Sequence, residues 1–227
     1  MDHSLVDIAR SMSIPVQLVM IFMLGMSIYM AYRVIDRIVT FSKASNETVQ
    51  FVLGLRQQLK NQKYEEVQKS AQQFKNSPVA KVVGAGTAAY RNGHEALTQK
   101  GSHDVGDFDL VDSVNRAIDR VKEREVSNLR KGLAGIGTVA TATPFVGLFG
   151  TVIGIINAFA LLKGNATIEV IGPAIAEALY ATAGGLLIAI FAAIGFNYCT
   201  TRVEELTVDM NDVSSEFVDH ILREGRS

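Results

Sequence analysis

Three long stretches with at most one charged side chain each dominate the sequence, and they alternate with strongly charged segments. Residues 11–32 and 132–162 carry no charge, and residues 170–201 carry one charged side chain, Glu177. A helix needs roughly 20 apolar residues to cross the hydrocarbon core of a bilayer, and each stretch supplies them. The second exceeds one crossing, which implies tilt or extension beyond the bilayer. The pattern predicts an all-α integral membrane protein with three transmembrane helices.

The segments between these stretches indicate the path of the chain. Residues 163–169 contain glycine and asparagine and suit a short periplasmic loop between two antiparallel helices. Residues 33–131 are hydrophilic and carry basic side chains next to both neighbouring spans, so the positive-inside rule predicts a cytoplasmic helical region. Residues 1–10 are then a short periplasmic N-terminus, and the first span, which lacks a cleavage site, is retained. Residues 202–227 form a cytoplasmic C-terminal helix.

Apolar residues in the charged segments recur every three or four positions, which is typical of amphipathic helices. We therefore expect the spans to continue into long cytoplasmic helical extensions. The aspartates around residue 109 suit the start of one such helix, and an unbroken path from it into the second span is one arrangement open to the chain. The periodic positions are Tyr64, Val67, Ala71 and Phe74, then Phe108, Val111, Ile118 and Val121, and finally Val203, Leu206, Met210, Val213, Phe217 and Ile221.

Composition argues against several classes of function. The net charge of −1 and the pI near 6.4 give no sign of a nucleic-acid partner. Cys199 is the single cysteine and the four histidines are scattered, so neither a disulfide nor a metal site is expected. The sequence has no GK[ST] phosphate-binding motif and no serine or cysteine beside a base in a recognised order. We expect no cofactor, no metal and no enzymatic activity.

Glu177 is a candidate functional residue because a carboxylate facing lipid costs several kcal/mol. Two interpretations stay open: ion handling, or a protonated glutamate that hydrogen-bonds another helix. Thr182 lies five residues further on and about 140° around the same helix, so the two side chains point in different directions. One division places Thr182 in a pore and Glu177 at a seam between subunits.

Small residues along the second span, together with Pro144, predict close helix packing or a subunit interface. Pro144 lies within this span, where a packed membrane helix tolerates a kink. The hydroxyl of Thr151 can line a file of ordered water or bond to its own helix backbone, and composition does not decide between them. Asn157 is expected to hydrogen-bond a neighbouring helix. The small residues on one face are Gly147, Thr151, Gly154 and Ala158, and Gly150 with Gly154 forms a GxxxG pattern.

Two blocks of sequence carry a resemblance to a known family. They are TPFVGLFGTVIGIINAF at residues 143–159 and GPAIAEALYATAGGLLIAI at residues 172–190. Both resemble the MotA/TolQ/ExbB proton-channel family, specifically its ExbB and TolQ branch. The likeness is strong over about the last hundred residues, whereas the earlier part agrees in layout only.

The resemblance implies a homopentameric ring in a bacterial inner membrane, surrounding a small single-span ExbD- or TolR-like protein. Proton flow would drive that partner and do mechanical work at the cell envelope, in outer-membrane import or envelope maintenance. An envelope-spanning TonB- or TolA-like protein would complete the system, and lipid would surround the ring. The resemblance places Thr151, Thr182 and Glu177 on the ion pathway.

Two alternatives to this function remain. Three predicted spans, rather than the four of flagellar stators, argue against a flagellar role but leave a gliding-type motor stator open. The other alternative is a non-conducting oligomeric membrane scaffold, in which the polar residues of the spans serve assembly only.

Overall fold

The computed structural model describes residues 13–61, 63–100, 109–160 and 168–224, and this part of the chain contains helices and no strand. The predicted all-α fold is therefore confirmed. The six helices are α1 (Ile14–Lys60), α2 (Tyr64–Gln73), α3 (Pro78–Lys100), α4 (Leu110–Arg130), α5 (Leu133–Ala160) and α6 (Ile168–Glu224).

Three of these helices contain a segment that is long and apolar enough to cross a membrane, namely α1, α5 and α6. α5 has 28 residues, which is more than the roughly 20 that a single crossing needs. α1 and α6 have 47 and 57 residues, so each is a membrane-spanning segment with a long helical extension. The protein is a multi-pass membrane protein.

The chain divides into two compact units. We call the first the membrane unit; it comprises Met1–Asp36 and Gly132–Cys199 and holds the apolar segments. We call the second the polar unit; it comprises Arg37–Lys131 and Thr200–Ser227. Helices α1 and α6 each contribute residues to both units.

A two-residue break separates α4 from α5, so the unbroken path considered from the sequence is wrong. Gly132 has a φ of +87°, a left-handed backbone conformation that residues with a Cβ atom avoid. A Cβ on Gly132 would also lie 3.2 Å from Cζ of Arg33. Glycine directly after the last helical turn is a common helix terminator, and it ends α4 here.

The polar unit is built around large buried apolar side chains. Phe51, Met210 and Phe217 are each at most 1% exposed, and Val67 and Ala71 confirm the inward face predicted for α2. The predicted stripe on α6 is buried at Val203, Leu206, Met210, Phe217 and Ile221.

Local contacts fix the ends and the register of the helices in the polar unit. The Asp109 carboxylate accepts hydrogen bonds from the backbone N–H groups of Val111 and Asp112, which confirms the predicted cap of α4; Phe108 lies outside the described residues. Lys81 Nζ lies 2.7 Å from Oε2 of Glu125 and joins α3 to α4.

The membrane unit packs through smaller contacts. Met30, Ile136, Val139 and Ala192 form one buried cluster, and Ala181 belongs to a second with two side chains of α1. Many large apolar side chains point outward, which suits contact with lipid or other membrane helices and not with water. They include Phe22, Phe145, Phe149, Phe159, Leu179, Leu187, Phe191 and Ile194.

Candidate functional site

Helices α5 and α6 approach so closely that their backbones touch. A Cβ on Gly147 would lie 2.9 Å from the carbonyl oxygen of Ala181. One on Gly154 would lie 2.6 Å from Cβ of Ala178, and one on Gly185 would lie 2.6 Å from the carbonyl oxygen of Thr143. Real Cβ atoms do not tolerate such distances, so this crossing exists only because glycine occupies these positions.

The first span joins the same contact. A Cβ on Gly150 would meet Ala181 Cβ at 3.0 Å and Val19 Cγ1 of α1 at 3.2 Å. Gly147, Gly150 and Gly154 are all buried, while Pro144 lies partly buried inside an otherwise continuous α5. These residues therefore pack within one chain, and their predicted role between subunits stays a prediction.

Thr151 lies inside this contact, between Gly150 and Gly154 on α5. Its side chain is buried, and its hydroxyl donates a hydrogen bond of 2.7 Å to the carbonyl oxygen of Leu148 one turn earlier. The hydroxyl proton is thus held by its own helix, which was one of the two interpretations open from the sequence. The oxygen keeps lone pairs that can accept a further hydrogen bond.

Thr182 lies at the same crossing on α6, directly after Ala181. Its Cα would be 3.0 Å from a Cβ on Gly147. Its hydroxyl oxygen is buried and has no hydrogen-bond partner within the part of the chain that the structure describes. A buried hydroxyl without a partner costs about 1–3 kcal/mol, so this group is available for a water, an ion or a side chain of another protein.

Glu177 lies on the other flank of α6. It shares a helical stripe with Gly184 and Gly195, whose nearest side chains are Met23 and Val34 of α1. Thr182, in contrast, faces the α5 side. The structure therefore brings Thr151 and Thr182 to one crossing and leaves the partly buried Glu177 on the flank that faces α1.

Asn157 was not among the predicted site residues, although its single amide in an apolar span was a usable signal. Its Nδ2 donates a hydrogen bond of 2.9 Å to Oγ of Ser13, which joins α5 to the start of α1. The expected interhelical bond is confirmed. Among the described residues no group of three histidine, cysteine or acidic side chains is placed to hold a metal ion.

Comparison with known proteins places this crossing in context. A sequence profile for the MotA/TolQ/ExbB proton channel family matches residues 89–212, which include all of α5 and the apolar part of α6. The Tol-Pal system protein TolQ of Haemophilus influenzae is 38% identical over 117 residues, 51% of each chain. TolQ of Pseudomonas aeruginosa is 41% identical over 110 residues, 48% of each chain.

A second group of relatives carries a different name. The biopolymer transport protein ExbB of Pseudomonas putida is 33% identical over 135 residues, 58% of this chain and 41% of that one. The alignments thus span about half of the length of the curated relatives that the chain matches. The profile match likewise covers just over half of the 227 residues, and it contains the whole α5–α6 crossing.

Proposed function

Because the chain belongs to the MotA/TolQ/ExbB proton channel family, we propose that it is the proton-conducting subunit of an ion-driven motor in a bacterial inner membrane. The motor couples the proton motive force to mechanical work at the cell envelope, in outer-membrane import or envelope maintenance. The protein acts as a channel subunit and not as an enzyme.

One observation carries this proposal: the buried hydroxyl of Thr182 has no hydrogen-bond partner among the residues described, at a crossing where the backbones of α5 and α6 touch. A polar atom kept in this state at an energetic cost is suited to a transient partner. Thr143, on the same crossing, donates 2.6 Å to Val139 of its own helix and needs no other partner. Thr182 is the hydroxyl with free capacity to donate.

Thr182 and Thr151 have different roles in this proposal because their hydroxyl groups differ in hydrogen bonding. Thr182 can both donate and accept, so it can exchange hydrogen bonds with water or with a carboxylate on a partner helix as a proton passes. Thr151 has committed its proton to Leu148 and offers an acceptor beside it. Each proton yields about 2.3 kcal/mol per 100 mV, so useful work must accumulate over repeated steps, which equivalent stations in a ring provide.

The proposed assembly is a homopentamer that surrounds a small single-span ExbD- or TolR-like protein, with a TonB- or TolA-like protein spanning the envelope. The outward-facing aromatic and aliphatic side chains of α5 and α6 support contacts with lipid and with other membrane helices. The N-terminus is periplasmic, and both the polar unit and the C-terminus are cytoplasmic.

Thr182→Val tests the ion pathway, because valine keeps the shape of the side chain and removes the hydroxyl. We expect proton uptake into vesicles containing the chain and its single-span partner to be lost, while Thr182→Ser retains it. Thr143→Val is the matched control, since that hydroxyl is satisfied within its own helix. Normal proton uptake by Thr182→Val, with the complex intact, contradicts the proposal.

The scaffold alternative is favoured by Thr151, whose hydroxyl already bonds within its own helix. In a scaffold the polar residues of the spans serve assembly only. Glu177→Gln separates the two functions. If Glu177 handles ions, the variant should lose proton flux and keep the oligomer intact. If Glu177 is only a packing contact, the variant should dissociate the oligomer. Native mass and flux measured on the same preparation decide between these functions.

A further inference from the structure

Helix α4 of the polar unit carries an exposed row of arginines. Arg116, Arg120 and Arg124 follow each other at intervals of four residues, which places them on one face, and all three are exposed. Arg116 is paired with Asp112 of its own helix. Arg120 and Arg124, which we call the basic pair, make no salt bridge within the described residues.

Helix α6 carries an exposed row of carboxylates, Glu205, Asp209, Asp212 and Glu216. Arg202 holds Glu205 at 2.6 Å, and Arg56 holds Glu216 at 3.2 Å. Asp209 and Asp212, which we call the acidic pair, form no salt bridge with any side chain in the ranges described.

No salt bridge neutralises the centre of the acidic row among the residues described, while Arg56 and Lys60 line the same cavity as Asp212. The pKa of Asp209 is raised by partial desolvation and by the charges of Asp212 and Glu205 nearby. An exposed apolar side chain, Val208, borders the row and is 55% exposed. Like charges that crowd one another beside an exposed valine favour contact with a basic surface.

The basic pair and the acidic pair lie at similar distances along the axes of α4 and α6. Asn115 of α4 and Ser215 of α6 line one cavity, so residues about equally far along the two antiparallel helices lie side by side. The basic pair lies about 10 and 17 Å along α4 from Lys131, at 1.5 Å per residue. The acidic pair lies about 14 and 18 Å along α6 from Thr200.

No salt bridge joins the basic pair to the acidic pair within one chain, among the residues described. Arg124 lies at least about 120° around α4 from the residues of that helix that line the cavity shared by α4 and α6, and Asp209 lies at least about 80° around α6 from those of its own helix. Both side chains therefore point away from the centre of this cavity, and both are exposed. A rotation about an axis parallel to the helices keeps the level of every residue, so a second copy can bring its acidic pair to the basic pair of the first.

We propose that the basic pair of one copy of this chain docks on the acidic pair of the next, and that this contact orders the polar units of the ring. The inference rests on the oligomer of the proposed function. Because the two surfaces differ, the contact runs head to tail, and contacts of this kind generate rings when the rotation closes. A two-fold dimer would instead need both charged rows within one self-complementary patch.

Site-directed cross-linking tests the contact in membranes of cells that express two tagged forms of the full chain, both with Cys199→Ala. One form carries Arg124→Cys and the other carries Asp209→Cys. Oxidation is expected to give a disulfide-linked dimer that contains both tags, and a chain with both cysteines should give a ladder of oligomers. Arg91→Cys on α3 replaces Arg124→Cys as the matched control, because Arg91 is exposed and outside both rows.

Charge reversal gives a second test. Arg120→Glu with Arg124→Glu, or Asp209→Lys with Asp212→Lys, should each weaken self-association. The two reversed chains, expressed together, should copurify better with each other than with themselves. Lys43→Glu with Arg91→Glu makes the same change in charge at other exposed positions and should have no effect.

The native mass of the unaltered protein separates the two hypotheses. An oligomer whose cross-linking from Arg124→Cys equals that from Arg91→Cys overturns the docking contact and leaves the ring of the proposed function standing. A single chain overturns both. An oligomer with selective cross-linking and restored pairing of the reversed chains supports the contact.

Discussion

The interior of the membrane unit and the interior of the polar unit are stabilised by opposite kinds of packing. In the polar unit, large side chains such as Phe51 and Phe217 fill the interior, and the Lys81–Glu125 ion pair links neighbouring helices. In the membrane unit, the contact between α5 and α6 depends on the absence of a Cβ atom at Gly147, Gly154 and Gly185. The difference follows from the surroundings of each unit.

Water drives the burial of large apolar side chains, so the polar unit gains stability from each one that it encloses. Lipid is as apolar as leucine and provides no such drive between helices. The membrane unit therefore relies on close backbone approach and on polar contacts such as Asn157 with Ser13. The polar unit should consequently be sensitive to lost side-chain volume, and the membrane unit to added volume.

Phe217→Ala should have the largest effect, because it removes a side chain that is 0% exposed from the centre of the polar unit. We expect a loss of about 4 kcal/mol in the free energy of unfolding. Urea unfolding in mild detergent, followed by circular dichroism, measures this loss. Leu222→Ala is the control, since Leu222 on the same helix is 40% exposed. Equal losses in both variants would contradict the core assigned to this unit.

Gly185→Ala should be next, and it tests the opposite sensitivity. One methyl group would lie 2.6 Å from the carbonyl oxygen of Thr143, so α5 and α6 must separate. We expect about 3 kcal/mol of destabilisation, measured by thermal unfolding in detergent. Gly184→Ala is adjacent and should be neutral, because its Cβ would meet only Met23 Cε at 4.0 Å. A neutral Gly185→Ala would show that backbone approach does not hold the crossing.

Lys81→Met should cost less, about 2 kcal/mol, since it leaves the carboxylate of Glu125 without its cation while Lys81 is itself partly solvated. The side chain of Glu125 is only 10% exposed. Replacing both residues, with Lys81→Met and Glu125→Leu, should recover most of the loss. Urea unfolding of the three proteins checks this order. A double variant as unstable as Lys81→Met would show that the two residues do not act as a pair.

The sequence predicted the class of fold because its signals were long and redundant. Three long apolar stretches with at most one charge each identified the membrane helices, and a regular apolar stripe identified the inward face of the α6 extension. The end of α4 was harder to predict from the sequence, since a glycine within a helical pattern can be tolerated or can terminate the helix. Only the left-handed φ of Gly132 shows which outcome applies.

The arrangement of the candidate site could likewise be predicted from the sequence only in part. Helical geometry alone gave the separation of Glu177 from Thr182, and the structure places them on different flanks of α6. The hydrogen-bonding state of each hydroxyl was not predictable, because it depends on rotamers set by packing. Thr151 bonds to its own helix and the hydroxyl of Thr182 finds no partner in the described chain, although both are threonines within small-residue faces.

Asn157→Leu should have the smallest effect, and it asks how far polar contacts supplement glycine packing in the membrane unit. The change removes the hydrogen bond from Nδ2 of Asn157 to Oγ of Ser13 while keeping the side chain similar in size. Hydrogen bonds between membrane helices contribute about 0.6 kcal/mol on average, so a loss of about 1 kcal/mol or less is expected. Thermal unfolding in detergent measures it, and Ser13→Ala should give the same value without adding to it. A loss as large as that of Gly185→Ala would mean that this amide, and not backbone approach, holds the helices of the membrane unit together.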